Sequence, residues 1–349
     1  MIRRLGQVVT ESSRTRELGR GERVLPGVWR LRLPLPWPGV PHCNAWALAA
    51  GDGIVLVDCG MDQPGSMAHL ERALEQVNLR LDLVRLLVCT HAHSDHYGQA
   101  AAIVKATGCE LWMHPNHAHT VQAATDPEAA LERRIEVAIL SGVPQAPLRA
   151  YAEQAKGRGS GFSGIVEPAR DLLPGVQINS DLGAWEVVET PGHAPSHVCL
   201  YQPENRLMIS GDHLLGRPSL YYDYGWTEDP VGEYLNSLEL IEDLDMRLCL
   251  PGHGRSFAEV GSHINANRLA IAERIDGVID ALAQDQPMTA FEVVQSVHGD
   301  ELTAINANWW LSETLCYLRH LEVTDRAQRS EGDEERPELW ELTGSLHAS

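Results

Sequence analysis

Three histidines and one aspartate fall within six residues, directly after a short apolar segment. Residues 86–89 read Leu-Leu-Val-Cys and predict a buried strand. The polar residues that follow are His91, His93, Asp95 and His96. A turn at the end of a strand can direct several side chains into one cavity, and imidazole with carboxylate suits zinc, iron or manganese. The spacing therefore favours a metal site over a solvated polar loop.

The elements that position these residues follow from hydrophobic periodicity. Alternating or apolar segments predict strands at residues 28–33, 44–48, 54–57, 86–89, 110–113, 184–188, 197–201, 206–210 and 247–250. Helical periodicity predicts helices at residues 65–77, 98–107 and 231–243. Strands and helices that alternate in this way favour a layered fold of the α/β class.

The length of 349 residues suits one large domain with a smaller one, or two domains. We expect a polar N-terminal arm at residues 1–23 and a catalytic domain at residues 24–260. Within that domain, residues 115–175 carry helical stretches and few strand signals, which predicts a helical insertion that caps the pocket. Residues 261–349 predict a small helical C-terminal domain, for which a winged-helix-like form is one option.

The charge balance narrows the classes of partner. The chain has 28 Lys and Arg against 48 Asp and Glu, a net charge of −20 with neutral histidines. This negative field repels nucleic acid and anionic membranes, so we expect a small-molecule substrate. No apolar run approaches the roughly 18 residues that cross a bilayer, and the N-terminus has no signal-peptide core. The seven cysteines show no paired spacing, which favours buried thiols and a reducing cytoplasm.

Four further motifs occur in the same order as in a known family. They are Asp58 in Val-Asp-Cys-Gly, His193 in Thr-Pro-Gly-His, Asp212 in Ser-Gly-Asp-His and His253 in Pro-Gly-His-Gly. With His-x-His-x-Asp-His at residues 91–96, they resemble the metallo-β-lactamase-fold hydrolase superfamily over residues 24–260. The resemblance implies a four-layer αββα sandwich and, more narrowly, the dinuclear-metal hydrolases that carry a small helical C-terminal domain.

The resemblance also implies the ligands of two divalent metal ions. One ion would be bound by His91, His93 and His193, and the other by Asp95, His96 and His253, with Asp212 between them. Zinc is the expected metal, with iron or manganese as alternatives. In the mechanism that the resemblance implies, the ions would supply a hydroxide able to attack a carbonyl carbon, and Asp95 or Asp212 would carry the proton. Asp58 is expected to accept a hydrogen bond from a ligand histidine instead of binding metal.

An aromatic segment after Asp212 supplies candidates for substrate contact. It contains Tyr221, Tyr222, Tyr224 and Trp226. A phenol on a loop next to a metal ligand can donate a hydrogen bond to a developing oxyanion, although packing beneath the loop is the alternative. We expect one of the three tyrosines in the pocket and name Tyr222 and Tyr224 as catalytic candidates.

The remaining histidines are expected to lie outside the ligand sets. His213 follows Asp212 on an extended segment and would point the opposite way, and His197 opens a strand. His42 could reach the pocket mouth, and surface or cap packing is favoured for His114, His117 and His119.

The function expected from these features is hydrolysis of an ester-type acyl bond, in a thioester, a lactone or a related small molecule. A β-lactam hydrolase is an alternative, but the secreted ones need a signal peptide. A phosphodiesterase or ribonuclease is another, and the negative charge disfavours it. A promiscuous phosphotriesterase, a one-iron persulfide dioxygenase and a protein-binding scaffold with structural metals complete the alternatives. A homodimer through the cap or the C-terminal domain is a further candidate. Trp309 and Trp310 are candidates for its interface, and packing of both between the two domains is the alternative.

Overall fold

Two β-sheets pack face to face in the interior of the fold, and helices cover the outer face of each. The computed structural model describes residues 18–37, 39–155, 159–284, 286–304, 306–333 and 336–344. Side chains of both sheets, among them Trp46, Val57, Trp185 and Leu200, are buried against one another in the space between. The predicted four-layer αββα sandwich and the α/β class are therefore confirmed.

Within the described residues, the first sheet has seven strands whose spatial order follows the chain. They are β1 (Arg20–Leu25), β2 (Val28–Trp37), β3 (Val40–Ala50), β4 (Gly53–Val57), β5 (Val84–Val88), β6 (Glu110–Met113) and β7 (Arg170–Asp171). Strands β1 to β4 pair antiparallel, and β4 to β7 pair parallel. The central β4 is buried along its whole length, as a strand covered on both faces requires.

The second sheet has five strands in the part of the chain that the structure describes, in the order β12-β11-β10-β9-β8. They are β8 (Gln177–Ser180), β9 (Gly183–Glu189), β10 (Val198–Gln202), β11 (Leu207–Gly211) and β12 (Leu248–Pro251). Only the β11–β12 pair is parallel among these neighbours. The carboxyl ends of β11 and β12 therefore lie side by side.

Helices cover both sheets. On the first sheet lie α1 (Ser66–Glu75), α2 (Ser94–Tyr97) and α3 (Ala100–Thr107), followed along the chain by α4 (Ala118–Thr125), α5 (Pro127–Leu140) and α6 (Gln145–Ala155) in the predicted cap. On the side of the second sheet are α7 (Pro230–Glu242), α8 (Val260–Leu282), α9 (Ala290–His298) and α10 (Ala307–Val323), which share one buried cluster with that sheet. Short 3-10 turns occur at Leu81–Leu83 and Gly299–Glu301.

The N-terminal edge of the first sheet differs from the prediction. Residues 1–17 of the predicted arm lie outside the described residues, but Arg20–Leu25 form strand β1 and pair with β2. The charged composition of this strand hides it from pattern analysis, because edge strands are commonly polar. Strand β2 also continues past residue 33 through Pro34, because β2 pairs with β3 alone beyond Arg32 and such an edge tolerates proline.

The cap is helical as predicted and contacts the C-terminal part of the chain. The carbonyl of Ser141, at the end of α5, accepts a hydrogen bond from the Phe291 amide at 2.9 Å. The carbonyl of Leu140 accepts one from the Glu338 amide at 2.8 Å. Strand β7 lies within the predicted insertion, residues 115–175, and pairs with β6 of the first sheet, so the helical part ends before the predicted boundary. Among the described helices, none combines the length and apolar character needed to cross a bilayer.

The C-terminal part consists of α8, α9 and α10 followed by a hairpin of β13 (Ala327–Arg329) and β14 (Trp340–Leu342). Trp340 also bridges Met288, which precedes α9, so the element order is that of a winged helix. This part shares its core with the second sheet. One buried cluster contains Met208 of β11, Leu238 of α7 and Leu318 of α10.

The shared core can be tested on helix α7, where two leucines differ in burial. Leu238 is 0% exposed and Leu240 is 51% exposed. Leu238→Ala should lower the free energy of unfolding by about 2–5 kcal/mol, because it leaves a cavity between the sheet and the C-terminal helices. Leu240→Ala should change it by less than about 0.5 kcal/mol. Urea denaturation followed by circular dichroism measures both, and equal effects would contradict this packing.

Candidate metal centre

The polar motifs come together because each follows the carboxyl end of a strand. The residues that follow β4, β5, β9, β11 and β12 are Asp58, His91, His193, Asp212 and His253. Helix α2 begins three residues after His91 and adds Asp95 and His96. The site thus forms at one edge of the sandwich, where strands of both sheets end.

Three histidines form the first cluster. The Nδ1 atom of His93 lies 3.1 Å from the Nε2 atom of His91 and 3.1 Å from the Nε2 atom of His193. Tetrahedral zinc with bonds of about 2.0–2.1 Å places its ligand atoms about 3.3–3.4 Å apart. Burial lowers the pKa of His91 and brings that of His193 to about 4. Both rings are therefore neutral near pH 7, the form that binds metal.

Two carboxylates and two histidines form the second cluster, which contains Asp95, His96, Asp212 and His253. The Nε2 atom of His253 lies 3.2 Å from the Oδ2 atom of Asp95 and 3.1 Å from the Oδ2 atom of Asp212. The Nε2 atom of His96 lies 3.6 Å from Asp95 Oδ2 and 3.4 Å from Asp212 Oδ1. The four donor groups thus converge on one point.

Asp212 lies between the two clusters. Its Oδ2 atom, close to His253 in the second cluster, is also 3.8 Å from the Nε2 atom of His193 in the first. The neighbouring His197 accepts a hydrogen bond from the Asp212 amide at 3.1 Å, and its other nitrogen lies 2.8 Å from Thr190 Oγ1. His197 therefore orients the backbone that carries Asp212.

The donor sets fit bound cations. The buried His96 Nε2 and Asp212 Oδ1 atoms have no hydrogen-bond partner in the described structure. Burial opposes ionisation of Asp212, but His253 and His96 hold the pKa of its carboxyl well below the usual range. Burial likewise opposes charge on His253, yet Asp212 and Asp95 raise its pKa to about 10. Ionised buried carboxylates next to unpartnered ring nitrogens are the environment that a divalent ion stabilises.

Hydrogen bonds behind the clusters fix the histidine rings. The Nδ1 atom of His96 lies 2.8 Å from Asp58 Oδ2, and Asp58 Oδ1 accepts a bond from the Thr90 amide at 2.8 Å. The Nδ1 atom of His253 lies 2.9 Å from the carbonyl oxygen of His42. Such partners set which ring nitrogen carries the proton and leave the other free to bind metal. The structure thus places Asp58 behind His96 instead of in a donor set.

Two further residues act on the first cluster, and motif analysis missed the first of them. The Oδ2 atom of Asp223 lies 2.9 Å from His93 Nε2, and the carbonyl oxygen of Tyr221 lies 3.0 Å from His193 Nδ1. Burial raises the pKa of Asp223, but His93 outweighs it and lowers the pKa to about 2. His119 Nε2 lies 3.6 Å from the same carboxylate, so His119 approaches the site.

The structure does not bring Tyr222 or Tyr224 to the histidines. Tyr222 is 0% exposed and packs between the rings of Tyr234 and Tyr317, and Tyr224 packs against the same hydrophobic cluster. Tyr221 lies at the site instead, with its ring 5.7 Å from those of His93 and His193. Side chains of an extended segment alternate, so Tyr221 and Asp223 face the site and the catalytic candidates named from the sequence face the core.

The other polar and aromatic candidates have partners of their own. His213 packs against the Tyr234 ring at 4.6 Å, away from the donor sets. The remaining contacts are His42 Nδ1 with Arg32 at 3.4 Å, His114 Nε2 with Glu189 at 2.8 Å, His117 Nδ1 with the His114 carbonyl at 3.0 Å, and the Trp310 ring stacked on His298 at 3.8 Å.

Known proteins are similar to this chain in sequence over most of its length. The probable metallo-hydrolase YqjP of Bacillus subtilis is 28% identical over 294 residues, which cover 80% of this chain and 87% of that protein. An atrochrysone carboxyl ACP thioesterase of Aspergillus chevalieri is 24% identical over 299 residues, which cover 83% of this chain and 79% of that protein.

The fold is also shared with a crystal structure of the metallo-beta-lactamase family protein TTHA1429 from Thermus thermophilus. The TM-score is 0.78 at 23% identity, over 92% of this chain and 100% of that chain. The family model described as the metallo-beta-lactamase superfamily matches residues 38–253, more than half of the chain, and confirms the family that the motifs indicated. The chain belongs to the metallo-beta-lactamase superfamily and is a metallo-hydrolase of that superfamily.

Proposed function

We propose that this chain is a dinuclear-metal hydrolase that cleaves an ester-type acyl bond of a small molecule, a thioester first and a lactone second. The observation that carries the proposal is the pair of donor clusters that meet at Asp212. The similarity to an ACP thioesterase over most of both chains supports the choice of acyl substrate. Zinc is the proposed metal, because the first cluster supplies three imidazole nitrogens close to one another.

When bound, two divalent ions supply a Lewis acid for the substrate carbonyl and lower the pKa of water toward neutrality. The chain's own residues do the rest. Burial raises the pKa of the Asp95 and Asp212 carboxyls, but His96 and His253 outweigh it and lower the pKa of both. Each carboxylate is thus ionised near pH 7 and can accept a proton during the reaction.

The substrate approaches between His93 and His253. Their side chains are 20% and 15% exposed, more than those of His96 and Asp95 at 0% and 6%. Tyr221 lies beside His93 and takes the place of Tyr222 and Tyr224 as the aromatic candidate for substrate contact. A small-molecule substrate is also favoured by the net charge of −20.

The proposed compartment is a reducing cytoplasm. All seven cysteines of the chain are buried and form no disulfide. Free thiols in this number are typical of proteins that fold where disulfides do not persist. A homodimer stays a prediction; Trp309 donates a hydrogen bond from its ring nitrogen to the Leu220 carbonyl within the same chain at 3.2 Å.

Removal and return of metal tests the proposed activity. Chelation should abolish hydrolysis of thioesters or lactones. Zinc should restore it at two ions per chain, because the proposed reaction requires a metal ion in each cluster. Turnover by metal-free and reloaded protein is measured on a panel of thioesters, lactones, β-lactams, phosphodiesters and phosphotriesters. Activity confined to the last three classes would overturn the acyl-ester proposal.

Replacement of His93 tests whether metal takes part in catalysis. His93→Ala should lower turnover by at least about 100-fold, since metal stabilisation of charge is worth several kcal/mol. The matched control is His117→Ala, which alters a histidine outside both donor sets and should leave turnover unchanged. Kinetic assays on folded protein, checked by circular dichroism, compare the two. Full turnover of His93→Ala would contradict a part for the first cluster in catalysis.

Asp212 tests the link between the two clusters. Asp212→Ala should lower the metal content from two ions per chain to one or fewer, because both clusters share this carboxylate. Asp245→Ala is the control, because Asp245 is an exposed residue paired with Arg206 at the surface. Elemental analysis after gel filtration gives the content, and two tightly bound ions in Asp212→Ala would exclude the shared role.

A further inference from the structure

Residues 218–224, here called the site loop, hold two histidines of the first cluster from behind. The Tyr221 carbonyl lies 3.0 Å from His193 Nδ1, and the Asp223 carboxylate lies 2.9 Å from His93 Nε2. The Asp223 amide also donates a hydrogen bond to the His193 carbonyl at 3.2 Å. The same short segment therefore contacts both histidines.

These contacts decide the tautomers of both rings. A carbonyl oxygen and an ionised carboxylate can only accept hydrogen bonds. His193 must therefore carry its proton on Nδ1 and His93 must carry its proton on Nε2. The atoms left with lone pairs are His193 Nε2 and His93 Nδ1, which lie 3.1 Å apart inside the first cluster. The site loop thus presents the ring nitrogens that can bind a metal ion.

Helix α10 holds the opposite side of the site loop. The ring nitrogen of Trp309 donates to the Leu220 carbonyl at 3.2 Å, and the hydroxyl of Ser312 donates to the Tyr222 carbonyl at 3.2 Å. The Trp309 ring also lies 5.1 Å from that of Tyr221, at 70°. The carbonyls of residues 220 and 222 thus point to α10, and the carbonyl of Tyr221 between them points to His193, as alternation along an extended segment requires.

We propose that helix α10 is a positioning element of the metal centre, in which Trp309 and Ser312 hold the site loop so that Tyr221 and Asp223 fix His193 and His93. The proposal gives a role to the C-terminal part of the chain, and it rests on the proposed metal centre. Loss of the partner behind a ligand histidine typically weakens metal binding 10- to 100-fold. Loosening α10 from the loop should act on the same contacts indirectly.

The experiment measures zinc affinity by competition with a chromophoric chelator. The double variant Trp309→Phe/Ser312→Ala removes both hydrogen bonds to the loop and keeps an aromatic ring against Tyr221. We expect about tenfold weaker binding of one of the two zinc ions, at the low end of the range for such partners. The visible spectrum of the cobalt-substituted protein should change with it, because the ring orientations at that ion change. Asp223→Ala serves as the direct disruption of the same contact set.

Two controls separate positioning from general destabilisation. Trp310→Phe alters the neighbouring ring, which stacks on His298 and, within the described part of the chain, makes no hydrogen bond to the loop; this variant should keep normal zinc affinity. Ser312→Thr retains a hydroxyl and should bind zinc more tightly than Ser312→Ala. If the double variant fails to fold, the comparison of these two single variants tests the same hydrogen bond.

The outcomes distinguish this inference from the proposed function. Normal zinc affinity and an unchanged cobalt spectrum in the folded double variant would overturn the role of α10. The role of α10 would also be overturned if Asp223→Ala binds zinc weakly and the double variant does not, since the site loop would then position the histidines without the helix. If the unaltered protein binds no zinc at all, the proposed metal centre itself is wrong.

Discussion

The centre of this protein depends on keeping ionised carboxylates out of water. Asp95, Asp212 and Asp223 are largely buried, and a buried carboxylate costs several kcal/mol unless positive or hydrogen-bonding partners compensate. Six histidine rings surround them, and those of the second cluster and His93 lower the pKa of the carboxyls. Segments that follow strands of both sheets supply most of these groups, so both sheets must pack correctly before the charges are compensated.

The layers, the family and the grouping of the donor residues follow from the sequence because their signals are local. The run from His91 to His96 is contiguous, and the later motifs each follow an apolar strand. Asp223 was missed because nothing near it in the chain marks an aspartate that meets His93, 130 residues away. The prediction of Tyr222 as a catalytic residue was wrong for a related reason. Which side chains of an extended loop face the site depends on the residues that pack against its other side. Strand β1 was not predicted because an edge strand tolerates charged residues, which hide the alternating pattern.

The division into domains is also a tertiary property. The predicted boundary at residue 260 coincides with the start of α8, yet the helices beyond it pack on the second sheet in one continuous core. The cap contributes Ala138 to the same core and is therefore not a separate domain. This packing brings helix α10 into contact with the site loop. The elements in winged-helix order thus form part of the fold that surrounds the site.

The donor residues lie far apart in the chain, and this has a thermodynamic consequence. His91 and His253 are separated by about 160 residues and follow strands of different sheets. An unfolded chain keeps only the donors of residues 91–96 near one another, so ions bind the folded state, which adds His193, Asp212 and His253, more tightly. By mass action, each ion at a hundredfold excess over its Kd adds about 2.7 kcal/mol to the stability of the fold. The ions would thus act as clamps across the sandwich, and metal supply would set how long the chain survives heat and proteases.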